Sequence, residues 1–119
     1  MNSIADLESL AVFLLAAVLE EVIFRAGVQE MLLRRMDTAT GLPRYLGLSA
    51  ANLLTALLFA AAHAWTRSLW LAVGTLAPAL LLGWLYERRR KLWPCIALHA
   101  GFNLVWWLAA PWLALGPLH

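Results

Sequence analysis

The sequence predicts an all-α membrane protein: a polytopic helix bundle of about four transmembrane helices, built as a single domain over residues 1–119. Three observations carry that expectation. The composition is 63% hydrophobic with only 13% charged residues, at a mean hydropathy of +0.74, which suits a lipid-embedded chain better than a soluble domain. The apolar residues gather into four long segments separated by basic or Gly/Pro-bearing connections. Three of those segments carry groups that hydrocarbon rejects: Glu20, Glu21 and Arg25 after the apolar run 10–19, His63 after the run 53–62, and His99 with Asn103 inside the run 92–110. Ionisable side chains at bilayer depth are costly, so by default they mark a functional site.

The first segment, about residues 7–35, has Gly27 as its only Gly or Pro and would reach roughly 43 Å as a helix. That exceeds a hydrocarbon core of about 30 Å, so the Arg34/Arg35 end should emerge among headgroups. Gly41-Leu42-Pro43 should break the helix. The second segment, about 49–65, has Ser49 as N-cap and a stripe of Ala56, Ala60 and Ala64 that would admit a neighbouring helix closely. In the third, about 69–86, Ala72, Thr75, Ala79 and Gly83 form a similar stripe and Pro78 should introduce a kink. The fourth starts at Trp93-Pro94, with proline in the first helical turn, and ends near Pro111.

If the four helices alternate, the one-two and three-four connections share a side and hold Arg34, Arg35, Arg44, Arg88, Arg89, Arg90 and Lys91, against Arg67 alone on the other. The positive-inside rule then makes this a multi-pass protein of the cell (inner) membrane with both termini outside. Trp65 and Trp70 would mark one interface, Trp84 and Trp93 the other. The net charge of +2 lies in loops and forms no basic stripe with interleaved aromatics, so no nucleic-acid partner is expected. Cys95, the only cysteine, excludes an internal disulfide and reads as a small core residue. Met1-Asn2-Ser3, followed by Asp6 and Glu8, lacks the basic start of a cleavable signal peptide.

Depth allows the polar groups to meet. At 1.5 Å per residue, Glu20 lies about 21 Å from Arg34, His63 about 21 Å from Ser49, His99 about 12 Å from Lys91 and Asn103 about 18 Å, a band of about two helical turns. Helical spacing pairs Glu21 with Arg25 at i and i+4 and leaves Glu20 pointing about 100° away. His99 and Asn103 share a face, so a ring N–H and an amide N–H can converge on one oxygen. A structural ion pair and a direct chemical role both fit Glu21 and Arg25. Taken alone, His63 would be a core histidine and Asn103 interhelical glue. The coincidence of Glu20, His63, His99 and Asn103 exceeds what packing requires.

Glu20-Glu21-x-x-x-Arg25, then Phe59-x-x-x-His63, then Trp93-Pro94 leading to His99-x-x-x-Asn103, resemble in order and spacing the CPBP family, which includes type II CaaX prenyl endopeptidases and bacteriocin-processing proteins. The resemblance covers about residues 19–103, with Ala26 where a glycine often follows the motif arginine and Gly27 one place later. It implies an intramembrane endopeptidase acting on a membrane-associated protein or peptide. Glu20 and His63 would activate water, His99 and Asn103 would supply an oxyanion hole, and Glu21 and Arg25 would shape the site. Such hydrolysis needs a base for water and donors aimed at the developing oxyanion. No cofactor is expected on this reading; the rival is zinc held by Glu20, His63 and His99, since two histidines and a carboxylate form a known catalytic ligand set. Because many relatives carry extra helices, a homo-oligomer or a partner subunit could complete the pocket.

Two other classes fit parts of the pattern. A small dimeric proton-coupled multidrug exporter also has four short spans and a membrane glutamate in its first helix, but has no need of His99-x-x-x-Asn103 or of an acid paired with Arg25. A membrane scaffold is the blander reading. Glu20→Gln separates the first two, abolishing substrate cleavage in a protease and proton-coupled resistance in an exporter.

Overall fold

In the computed structural model, which describes residues 3–37 and 47–112, the chain forms four helical rods, with no strand among the described residues. The first rod is helical throughout: α1 (Ile4–Glu21), a π-helical stretch Val22–Gln29, the short α2 (Glu30–Leu32) and a second π-helical stretch Leu33–Asp37. The second is α3 (Ala50–Thr66), the third α4 and α5 (Leu69–Gly74 and Leu76–Arg89), and the fourth α6 (Trp93–Ala109). The expected break at Gly41-Leu42-Pro43, and Arg44, lie outside the described residues.

Local chemistry explains the boundaries. Ser3, Ser49 and Ser68 adopt extended backbone, and their hydroxyls accept the N–H three residues on, capping α1, α3 and α4. Pro94 sits in the first turn of α6, where its missing N–H costs nothing. The third rod breaks at Thr75, between α4 and α5, because Pro78 has no N–H for the Gly74 carbonyl four residues back. In the turn before Pro78, the Thr75 hydroxyl donates to the Ala72 carbonyl at 2.6 Å.

The bundle has a largely apolar surface and encloses polar groups among its apolar core residues. Leu15, Leu19, Ile23, Leu57, Val73 and Val105 are exposed, whereas Glu21, Arg25, Gln29, Asn52 and Thr55 are fully enclosed. That distribution suits a lipid surround, in which small residues bring helices together and polar groups bond across them. Ala56, Ala60, Ala72, Ala79 and Gly83 are buried at the helix contacts; Ala64, expected to join them, is exposed. Leu33, Ala51, Leu82, Tyr86 and Cys95 form one apolar cluster, and Ala56, Phe59 and Ala79 another. By length and composition, Leu69–Arg89, at 21 residues, is the one helix among the described residues that clearly qualifies to cross a membrane, and Ala50–Thr66 is a shorter apolar helix.

Candidate active site

The site is assembled where the π-helical turn follows α1. π-Turns are rare and recur at functional sites, and this one starts at Val22, directly after the glutamate pair. Glu21 is wholly buried: its Oε1 accepts from Arg25 Nε at 3.0 Å and its Oε2 lies 2.8 Å from His99 Nδ1. Arg25 uses its remaining donors away from the site, Nη1 on Gln29 Oε1 at 2.9 Å and Nη2 on the Ala79 carbonyl at 3.1 Å. Gln29 in turn donates to the Gly83 carbonyl at 3.1 Å and to Glu87 at 2.7 Å, and the Ser49 hydroxyl donates to the same Glu87 oxygen. A continuous polar spine thus runs from His99 through Glu21, Arg25 and Gln29 to Glu87 and Ser49. It draws on all four rods.

Glu20 is the accessible acid of the pair, its side chain 27% exposed, with Oε2 3.3 Å from His99 Nε2. It is therefore not left free, as the helical wheel suggested, because the fourth rod brings His99 between the two carboxylates. With a carboxylate on each ring nitrogen, only the doubly protonated imidazolium donates to both. His63 is half-buried, with Nδ1 2.9 Å from the Phe59 carbonyl. A carbonyl only accepts, so Nδ1 carries the proton and Nε2 of a neutral ring is left as an acceptor. Phe59 packs at the centre, its ring 4.3 Å from His63, 5.9 Å from His99 and 5.0 Å from Phe24. Asn103 donates from Nδ2 to the Phe13 carbonyl at 2.9 Å, tying α6 to α1 and leaving the second amide hydrogen for another acceptor.

Glu20, His63, His99 and Asn103 all line one cavity of about 490 Å³, with Phe13, Phe59, Pro78 and Trp106 among its apolar walls. Glu21 and Arg25 stand behind it and hold His99. Sequence reasoning missed Gln29, although it continues the i, i+4, i+8 series of Glu21 and Arg25, and it missed Arg67, which lies one turn beyond His63 on the cavity wall.

An all-helical bundle with an apolar exterior, in which a carboxylate, two imidazoles and an amide line one cavity, has the architecture of a membrane protein. Comparison with protein families narrows this: the family model described as "Type II CAAX prenyl endopeptidase Rce1-like" matches residues 5–105. The chain belongs to that family of membrane-protein proteases. No curated protein and no solved structure gave a match.

Proposed function

We propose that this protein is an intramembrane endopeptidase that cuts a peptide bond in a membrane-anchored protein with a water molecule activated by Glu20. The observation that carries the proposal is that Glu20 and His63 line one cavity while Glu21 is enclosed outside it. Glu21 has both oxygens bonded and no access to the cavity, so the general base is Glu20. The free Nε2 of His63 accepts a hydrogen bond from one water O–H, which stays on the water oxygen, while Glu20 takes the other proton as that oxygen attacks the substrate carbonyl. Protonation of Glu20 removes the charge that holds His99 Nε2–H, which is then available to the oxyanion together with the second amide hydrogen of Asn103. Glu20 delivers its proton to the leaving nitrogen as the C–N bond breaks, which completes hydrolysis with atoms and charge in balance.

The zinc alternative would require Glu20, His63 and His99 to converge as ligands. Among the described residues no three His, Cys, Asp or Glu side chains are so grouped, and His99 faces a carboxylate on each nitrogen. The donor set in this arrangement does not fit the metal, which supports the glutamate mechanism. Family membership displaces the exporter reading. The family's description favours a prenylated C-terminal tail as substrate over a bacteriocin leader or a C-terminal sorting signal. The distribution of basic residues between the connections supports a multi-pass inner-membrane enzyme with its termini outside.

The test is Glu20→Gln. Purified in detergent or nanodiscs, the variant should melt like the parent and leave a farnesylated membrane peptide uncut while the parent cleaves it. A variant that retains turnover sinks the assignment of the base.

A further inference from the structure

The cavity that Glu20 and His63 line has one arginine among its lining residues, Arg67. We propose that Arg67 is a carboxylate-binding subsite, holding an anionic group in the segment that the protease releases and so setting which bond is cut. The inference rests on the protease reading above and adds the direction in which substrate lies.

Arg67 is placed for this by the end of α3. It leaves the helix with extended backbone, φ −139° and ψ −158°, while its N–H still donates to the His63 carbonyl at 2.8 Å. Its guanidinium lies over the Phe13 ring, 5.9 Å from the centroid, so that Phe13, itself a wall of the cavity, keeps it at the rim. Arg25, Arg34 and Arg90 each meet a carboxylate, Glu21 or Glu30, whereas Arg67 forms no ion pair among the described residues. Val12, Trp70 and Leu71, which line the same cavity, offer no charge. An exposed guanidinium flanked by apolar surface is a planar fork matched to carboxylate oxygens.

Charge also fixes the orientation. Glu20 repels an anion beside the reacting bond, while Arg67 attracts it one helical turn away. The rise from His63 to Arg67 is about 6 Å, and an extended chain spans about 3.5 Å per residue, so with the reach of the side chain the carboxylate falls roughly two to four residues beyond the bond that is cut.

Binding tests this separately from cleavage. Glu20→Gln protein in phosphatidylcholine nanodiscs is titrated with a fluorescent S-farnesylated peptide ending in a free carboxylate, and with its C-terminal amide. The expected result is roughly ten-fold tighter binding of the acid, the scale of one charge-assisted pair. Adding Arg67→Gln should make the two peptides equal, and Arg67→Lys should restore part of the preference. An amidated peptide ending in aspartate that binds like the acid supports a subsite open to any carboxylate, and one that does not supports a subsite for the chain terminus. Equal binding of acid and amide by the protein with Arg67 intact, or no binding of either, overturns the proposal. So does an Arg67→Gln variant that weakens both peptides equally, which would assign the guanidinium to lipid phosphate. Cleavage by the protein with Glu20 intact is followed in parallel: no hydrolysis beside a retained acid preference refutes the protease reading alone, and equal kcat/KM on acid and amide refutes the subsite alone.

Discussion

Arg25 joins three elements with one side chain, bonding Glu21 and Gln29 on its own rod and the Ala79 carbonyl of α5. Arg25→Ala leaves Glu21 Oε1 without its donor in a fully enclosed site, and breaking a buried pair in this way costs about 3–5 kcal/mol. The variant should melt well below the parent in detergent and lose activity with it. Arg25→Lys keeps the charge but cannot serve three acceptors in one plane, so it should recover part of the stability and little of the turnover. Wild-type melting in the alanine variant would contradict the spine. Asn103→Ala should behave differently. On the oxyanion reading it lowers kcat by roughly 10²- to 10³-fold, with a small effect on folding because the Phe13 carbonyl it leaves is half-buried. A variant that loses its fold in proportion to its activity would make Asn103 helix glue alone.

Small residues matter at the scale of elements because they expose backbone. Ala79 and Gly83 give Arg25 and Gln29 access to carbonyls of α5, and the Asn52 side chain of α3 lies against Gly83 while Nδ2 donates to the Leu80 carbonyl at 3.0 Å. A Cβ at position 83 would collide with the Asn52 amide, which is itself fully enclosed. Gly83→Ala should therefore destabilise the contact of α3 with α5 by about 1–3 kcal/mol, the usual range for overpacking. Asn52→Ala should relieve part of that loss in the double variant, a coupling that a thermal double-mutant cycle reads directly. Additive losses would show that the two helices do not meet as described.

For the whole molecule, the arrangement of charge and of donors makes two predictions. If the reaction runs on Glu20 without metal, protein stripped with a strong chelator should keep its hydrolysis and hold no stoichiometric zinc. Activity that vanishes on chelation and returns with zinc would replace the mechanism while leaving the protease assignment in place. The segregation of Arg88, Arg89, Arg90 and Lys91 from Arg67 predicts the topology. In a Cys95→Ser background, Arg67→Cys should react with a membrane-impermeant maleimide in intact cells, and Arg89→Cys only after lysis. The reverse labelling pattern would invert the bundle.

The sequence by itself determined the helical class, the four segments, the Ser49 cap and the Pro94 start, because apolar run length, a serine cap and proline are local signals, whereas the Ser3 and Ser68 caps emerged only in the structure. It also determined which polar residues were out of place, since a carboxylate or imidazole in an oily segment is conspicuous without any neighbour. The Glu21–Arg25 pair was legible for the same reason, as both partners lie on one helix face. Only the tertiary structure decided that His99 stands between Glu20 and Glu21, that Gln29 extends the spine to Glu87, and that Arg67 faces the same cavity as His63. Those relations join different rods. Spacing along one helix does not encode how a second helix is rotated against it, and that rotation is set by Ala79, Gly83 and the backbone carbonyls they leave open to side chains from the first rod.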